Sequence, residues 1–84
     1  MYACRVLLAG NRRIHRLYLE QVIQNTKGYI LVGTESDMEE ALKRCEHMPV
    51  DLILMEAADK EGNDNFAAAF ACKNRHPLIR IIVM

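Results

Sequence analysis

Cys72 and His76 stand four residues apart, a spacing that can set two metal ligands on one helix face. Two ligands make no site without a third, and Pro77 unwinds the turn that would hold them. A buried thiol beside a surface histidine is the preferred reading. Cys45 and His47 are two apart and would point to different sides of a helix. His15 sits among Arg12, Arg13 and Arg16, where an imidazole could take up a phosphoryl group. Near a helix start it reads instead as solvated. The same arginines, with Arg5, could form a patch for phosphate or nucleic acid. Arg12 and Arg16 share a helix face, Arg13 is offset, and no aromatic residues interleave for base stacking, so a solvated face is expected. The segment 59–64 holds one glycine and the acids Asp59, Glu61 and Asp64, without the twelve-residue calcium-loop pattern, and reads as a polar turn. The chain has no Gly-rich phosphate loop and no Ser-His-Asp or Cys-His arrangement.

Composition narrows the classes further. Eleven Lys and Arg balance eleven Asp and Glu, which speaks against a dedicated nucleic-acid or acidic-membrane binder. Hydrophobic residues at 51% and charged residues at 26% describe an ordinary globular chain rather than a disordered one. Three cysteines, Cys4, Cys45 and Cys72, are odd in number and form no CxxC pair, so neither a zinc site nor a disulfide framework is expected. A reducing cytoplasm suits them. Val6-Leu7-Leu8-Ala9-Gly10 is too short for a signal-peptide core, and no apolar run approaches a membrane span.

The elements that must position these groups alternate. Arg5-Val6-Leu7-Leu8-Ala9 reads as a strand that stops at the turn pair Gly10-Asn11. Residues 12–26 read as a helix with Ile14, Leu17, Tyr18 and Val22 inward, ended by Lys27-Gly28. Residues 29–33 form the second strand. Ser36-Asp37-Met38-Glu39 is a capping-box pattern that opens a helix running to about His47, with Met38, Ala41, Leu42 and Cys45 inward. Leu52-Ile53-Leu54-Met55 is a solid apolar run, as in a strand covered on both faces. A third helix over about 65–75 turns Phe66, Ala67, Phe70 and Ala71 inward, and residues 78–84 form the last strand. The order β-α-β-α-β-α-β calls for a parallel sheet with right-handed crossovers. Ligand sites in such sheets lie at the carboxyl ends of the strands: here Gly10-Asn11, Gly33-Thr34 and the stretch from Glu56 to Asp59.

Val6-Leu7-Leu8-Ala9, the strand 29–33, Asp51-Leu52-Ile53-Leu54-Met55-Glu56, the turn Glu61-Gly62-Asn63-Asp64 and Ile79-Arg80-Ile81-Ile82-Val83-Met84 together resemble the receiver domain of two-component response regulators, over essentially the whole chain. The resemblance implies an α/β, three-layer, flavodoxin-like parallel sheet. It would be incomplete, in strand order 2-1-3-4, with residues 1–84 lacking the last helices and the fifth strand. It also implies what has changed. The position that corresponds to the phosphoacceptor aspartate is Glu56. The positions of the two acids that bind Mg²⁺ are Gly10 and Asn11, one with no side chain and one with a neutral carbonyl. The switch hydroxyl and the lysine of the family lie past Met84. The Mg²⁺ pocket is therefore predicted lost, no cofactor is expected, and phosphotransfer goes with it, since the cation is the main stabiliser of the transferring group. Glu56 reads either as a partial mimic of the phosphorylated state or as a solvated carboxylate at a strand end.

An incomplete sheet leaves its fourth strand as an edge, with Ile79, Ile81, Ile82 and Val83 as a possible interface. A protein partner or a homodimer through that edge is expected, with no membrane and no direct nucleic-acid contact by this segment. The expectation is a cytoplasmic, non-catalytic pseudo-receiver that acts by protein–protein interaction in signal transduction and transcription regulation. The competing function is a phosphoacceptor domain of a phosphorelay whose remainder is missing from this chain.

Overall fold

A computed structural model describes residues 3–10, 12–57 and 65–84. Asn11 and the acidic turn 59–64 lie outside the described residues, as does the side chain of Ile14. The elements follow the expected alternation: β1 (Cys4–Ala9), α1 (Arg13–Gln24), β2 (Tyr29–Glu35), α2 (Met38–Cys45), β3 (Leu52–Met55), α3 (Phe66–Arg75) and β4 (Arg80–Val83). The four strands are all parallel and stand in the order β2-β1-β3-β4, the flavodoxin-like order predicted from the sequence.

Alternation along β1 divides the interior into two. Leu7 and Ala9 join Ile53 and Met55 on one face of the sheet. That face packs on Met38, Ala41 and Cys45 of α2 and on Ala69 and Cys72 of α3. Val6 and Leu8 point the other way, onto Ile23 and the half-buried Leu19 of α1, with Leu31, Leu52 and Leu54 beside them. Successive strand residues face opposite sides, so the part of a strand covered on both must be apolar, as β1 is from Val6 to Ala9. One helix on one face and two on the other make the three layers.

Local chemistry explains the joints. Gly28 takes φ 91° in the turn after α1, a left-handed conformation that costs glycine little. Its carbonyl receives the Cys4 N–H at 2.8 Å, which starts β1 beside β2. At the start of α2 the cap is Asp37 and not Ser36: its Oδ1 accepts the Glu40 N–H at 2.9 Å. The capping pattern is thus shifted by one residue, because an aspartate satisfies a free helix N–H as well as a serine does. Arg5 and Asp51 close the amino-terminal side of the sheet. Arg5 Nε donates to Asp51 Oδ2 at 2.9 Å and its terminal nitrogen to Oδ1 at 3.1 Å, a two-pronged pair.

Three expected faces are corrected. On α1, Leu17, Tyr18 and Val22 are exposed, Tyr18 by 67%, and the buried stripe is Leu19 and Ile23 with Arg16 and Glu20 half-buried around them. This helix carries two apolar stripes, and the sheet takes the one at positions 16, 19, 20 and 23. On α3 the inward residues are the small Ala69 and Cys72, while Phe66 is 42% and Phe70 70% exposed. Small side chains let α3 approach α2 and the sheet closely, and the rings fall outside. At β4 the strand begins at Arg80, and Ile79 is only 7% exposed. Ile79 therefore belongs to the core under α2 and α3 and not to an external surface. Lys73 Nζ holds the preceding turn, donating to the carbonyls of Pro77 (3.0 Å) and Ile79 (2.8 Å).

Candidate functional site

The carboxyl ends of the strands come level through the last rungs of the ladder. Gly10 N–H donates to Glu35 O at 2.9 Å, Glu56 N–H to Ala9 O at 2.9 Å, and Met84 N–H to Met55 O at 2.9 Å. Gly10, Glu35, Glu56 and Met84 thus line one end of the sheet. The sequence places Gly10 and Glu56 at the same site, and the structure brings them into contact.

Glu56 is 7% exposed. Its side chain folds back over β1 and occupies the space that a side chain at position 10 would fill. A Cβ on Gly10 would meet Glu56 Oε1 at 2.5 Å, Cδ at 2.6 Å and Cγ at 2.7 Å. Here the glycine is required by close approach rather than by backbone angle. The carboxylate is met from α1: Arg12 N–H donates to Oε1 at 3.2 Å, and Arg12 Nε lies 3.8 Å from Oε2. A helix start suits an anion, because its first N–H groups are unpaired and the dipole is positive there. The solvated carboxylate expected as one reading of Glu56 is corrected: burial over a glycine, with a backbone donor at hand, draws the side chain inward.

The remaining space is small. His15, Arg16 and Leu19 of α1 border Glu56, Gly10 and Met84, and the cleft among them measures about 10 Å³. That is about the least volume that accommodates one water molecule. Mg²⁺ requires near-octahedral oxygen coordination. At Gly10 there is no side-chain oxygen, Glu56 is turned onto the glycine and Arg12, and Glu35 is engaged elsewhere, so the described residues do not fit the ion. Arg44 of α2 holds the Glu35 carboxylate, its Nε donating to Oε2 at 2.8 Å and a terminal nitrogen donating to the same oxygen. Among the described residues no three His, Cys, Asp or Glu side chains gather as metal ligands, Cys72 and His76 included.

Asn65 is the member of this site that sequence reasoning missed. It is 5% exposed. Nδ2 donates to Glu56 O at 2.8 Å, Oδ1 accepts the Met38 N–H at 3.4 Å, and its own N–H donates to Ala57 O at 2.9 Å. It ties the exit of β3 to the start of α2. The available signal was an asparagine directly before a helix, which points to capping its own helix. Asn65 makes no such side-chain cap, and its reach across to α2 left no mark in the local sequence.

The two other thiols pack together. Cys45 and Cys72 are both buried and within hydrogen-bonding reach across the contact between α2 and α3. Burial, reinforced by the neighbouring Cys72, pushes the Cys45 thiol up to about 11. His76 begins the chain's exit from α3, its N–H donating to Cys72 O at 2.7 Å. Glu46 accepts from Arg75 at 2.6 Å and lies 3.7 Å from His76 Nε2, which bridges the ends of the two helices.

No protein-family model and no curated protein sequence matches the chain. Solved structures do. The RcsB response regulator of Salmonella typhimurium superposes with a TM-score of 0.85 at 15% identity, over 99% of this chain and 42% of that one. A mutant of the anti-anti-sigma factor PhyR from Bartonella quintana gives 0.82 at 18% identity, over 96% and 33%. A structure of two RcsB dimers bound to two parallel DNAs gives 0.83 at 14% identity, over 96% and 44%. The chain spans less than half the length of each of these proteins, and at such identities the likeness is one of fold.

Proposed function

Proceeding from a receiver-type fold, we propose that this chain is a pseudo-receiver: a non-catalytic, protein-binding module of signal transduction, in transcription regulation, whose state is set without phosphoryl transfer. The observation that carries the reading is Glu56 folded onto Gly10. In a phosphoacceptor the side chain after the third strand must face incoming phosphate beside a bound cation. Here the corresponding carboxylate fills the place of a metal-binding side chain and is met by Arg12. A nucleophile needs an open line of approach and a stabilised leaving group; among the described residues Glu56 borders a cleft of about 10 Å³, and Gly10 supplies no side-chain oxygen for a cation. The fold neighbours support a signalling context, since one is a response regulator and another an anti-anti-sigma factor. Among the described residues no helix is long and apolar enough to cross a membrane.

Incubation with acetyl phosphate and Mg²⁺, followed by intact-mass measurement, tests the proposal. The expected result is no mass gain, and beryllofluoride with Mg²⁺ leaves the melting temperature unchanged. A mass gain of one phosphoryl group, mapped to Glu56, would establish the phosphoacceptor function instead.

A further inference from the structure

Cys45 is the last residue of α2, and Cys72 lies in the second half of α3. Both thiols are free and buried, Cys72 wholly. Ala41 and Ala69 belong to the same cluster, and such small side chains let the two helices approach. The sulfurs stand within hydrogen-bonding reach of each other. An S–S bond is about 2 Å long, so they need approach by only roughly 2 Å to bond. The two helices are already tied at both ends. Asn65 Oδ1 accepts the Met38 N–H at the start of α2, and Arg75 donates to Glu46 where both helices finish. Fixed helices hold the thiols at a high effective concentration toward each other. They differ in access. An open groove of about 300 Å³, bordered by Met48, Val50, His76 and Ile79, reaches Cys45, and Cys72 is not among its lining residues.

We propose that Cys45 and Cys72 are an oxidation site, a redox pair that a small peroxide closes into a disulfide, latching α2 to α3. Cys45 meets the oxidant first. Its sulfur, as thiolate, attacks one oxygen of hydrogen peroxide and the O–O bond breaks. The departing oxygen leaves as water, taking up the proton that the thiol gave, and Cys45 becomes a sulfenic acid. The Cys72 sulfur then attacks the Cys45 sulfur. The S–S bond forms, the S–O bond breaks, and a second water leaves with the Cys72 proton. The two thiols lose two electrons and the peroxide is reduced to two waters. Burial acts on rate and lifetime in opposite senses. It raises both thiols and holds them protonated, which slows the first attack. It also withholds the thiolate stabilisation that makes some disulfides easy to reduce, so the closed pair resists reduction. The pair is a slow latch rather than a fast sensor.

Hydrogen peroxide applied to the folded 84-residue protein, followed by intact-mass measurement and a non-reducing peptide map, reads the closure. The expected product is a single chain lighter by two hydrogen atoms, with positions 45 and 72 joined. Its melting temperature is expected to rise by about 5–15 °C, because the link constrains the unfolded chain. Dithiothreitol is expected to reverse both changes. Cys4→Ser leaves the pair intact and should close in the same way. Cys72→Ala removes the resolving thiol, so oxidation should stop at a Cys45 sulfenic acid that dimedone traps. Thiols that stay unreacted on prolonged incubation, Cys4 joined to either of them in place of the 45–72 link, or a melting temperature that closure leaves unchanged or lowers overturns the proposal. None of these outcomes bears on phosphate uptake at Glu56, so the two readings fail separately.

Discussion

Glu56 and Gly10 make sense only as a pair. A methyl group at position 10 would lie 2.5–2.7 Å from three atoms of the glutamate, so one of the two must move. Gly10→Ala is expected to expel the Glu56 side chain and cost about 1–3 kcal/mol, the usual range for overpacking. Shortening the partner in Gly10→Ala/Glu56→Ala should restore part of that loss. Urea denaturation of the two single variants and the double variant measures the coupling, and simple additivity would show that the contact is not the cause. Asn65→Ala leaves a buried carbonyl and a helix N–H without their partner, and the expected loss is about 1–3 kcal/mol by the same measurement. At this scale the sequence was partly legible. Position 56 stood out because it follows four apolar residues, and position 10 because it ends the first strand. The direction of Glu56 was not legible, since it depends on a vacancy in another strand. Asn65 was invisible for the same reason: its partners are 9 and 27 residues away.

Among the elements, α2 and α3 are joined by the buried thiol pair. The raised Cys45 thiol has a consequence for stability. The thiol ionises near 9 when the chain is unfolded and near about 11 when it is folded. Below 9 both states hold the proton and stability is unaffected. Between about 9 and about 11 the unfolded state releases it first, so stability falls as pH rises, by roughly 2 kcal/mol over the window. Melting curves across that range should show the fall, and Cys45→Ala should lessen it, with the Cys72 thiol, which burial also raises, keeping part of it. The helices also show where periodicity misleads. In α1 two apolar stripes compete, and only the sheet decides between Leu17-Tyr18-Val22 and Leu19-Ile23. In α3 the largest side chains are not the buried ones. Phe70→Gln is therefore expected to change stability by less than about 0.5 kcal/mol, as for other surface positions, whereas a phenylalanine at Ala69 would disrupt the seam with α2. The strand order, by contrast, was legible through the resemblance to receiver domains, whereas the apolar runs alone said only that the strands are covered on both faces.

Across the whole molecule the sheet is unevenly enclosed. β1 has neighbours on both sides and helices above and below, and among the described residues β4 has a neighbour on one side. The solid apolar run of β1 announced this in the sequence. The order of the four strands agrees with the receiver pattern, but the parity of the backbone groups along β4 had to be seen. That parity governs how the protein trades hydrogen for deuterium. Protection should rise from the margin of the sheet to its middle, with the amides of Val6, Leu7 and Leu8 the slowest to label. Along β4 the rate should alternate from one amide to the next: slow at 80, 82 and 84, which are held by β3, and fast at 81 and 83, which face outward. A single strand would then carry two clocks, and the faster one would stop whenever another chain lay against it.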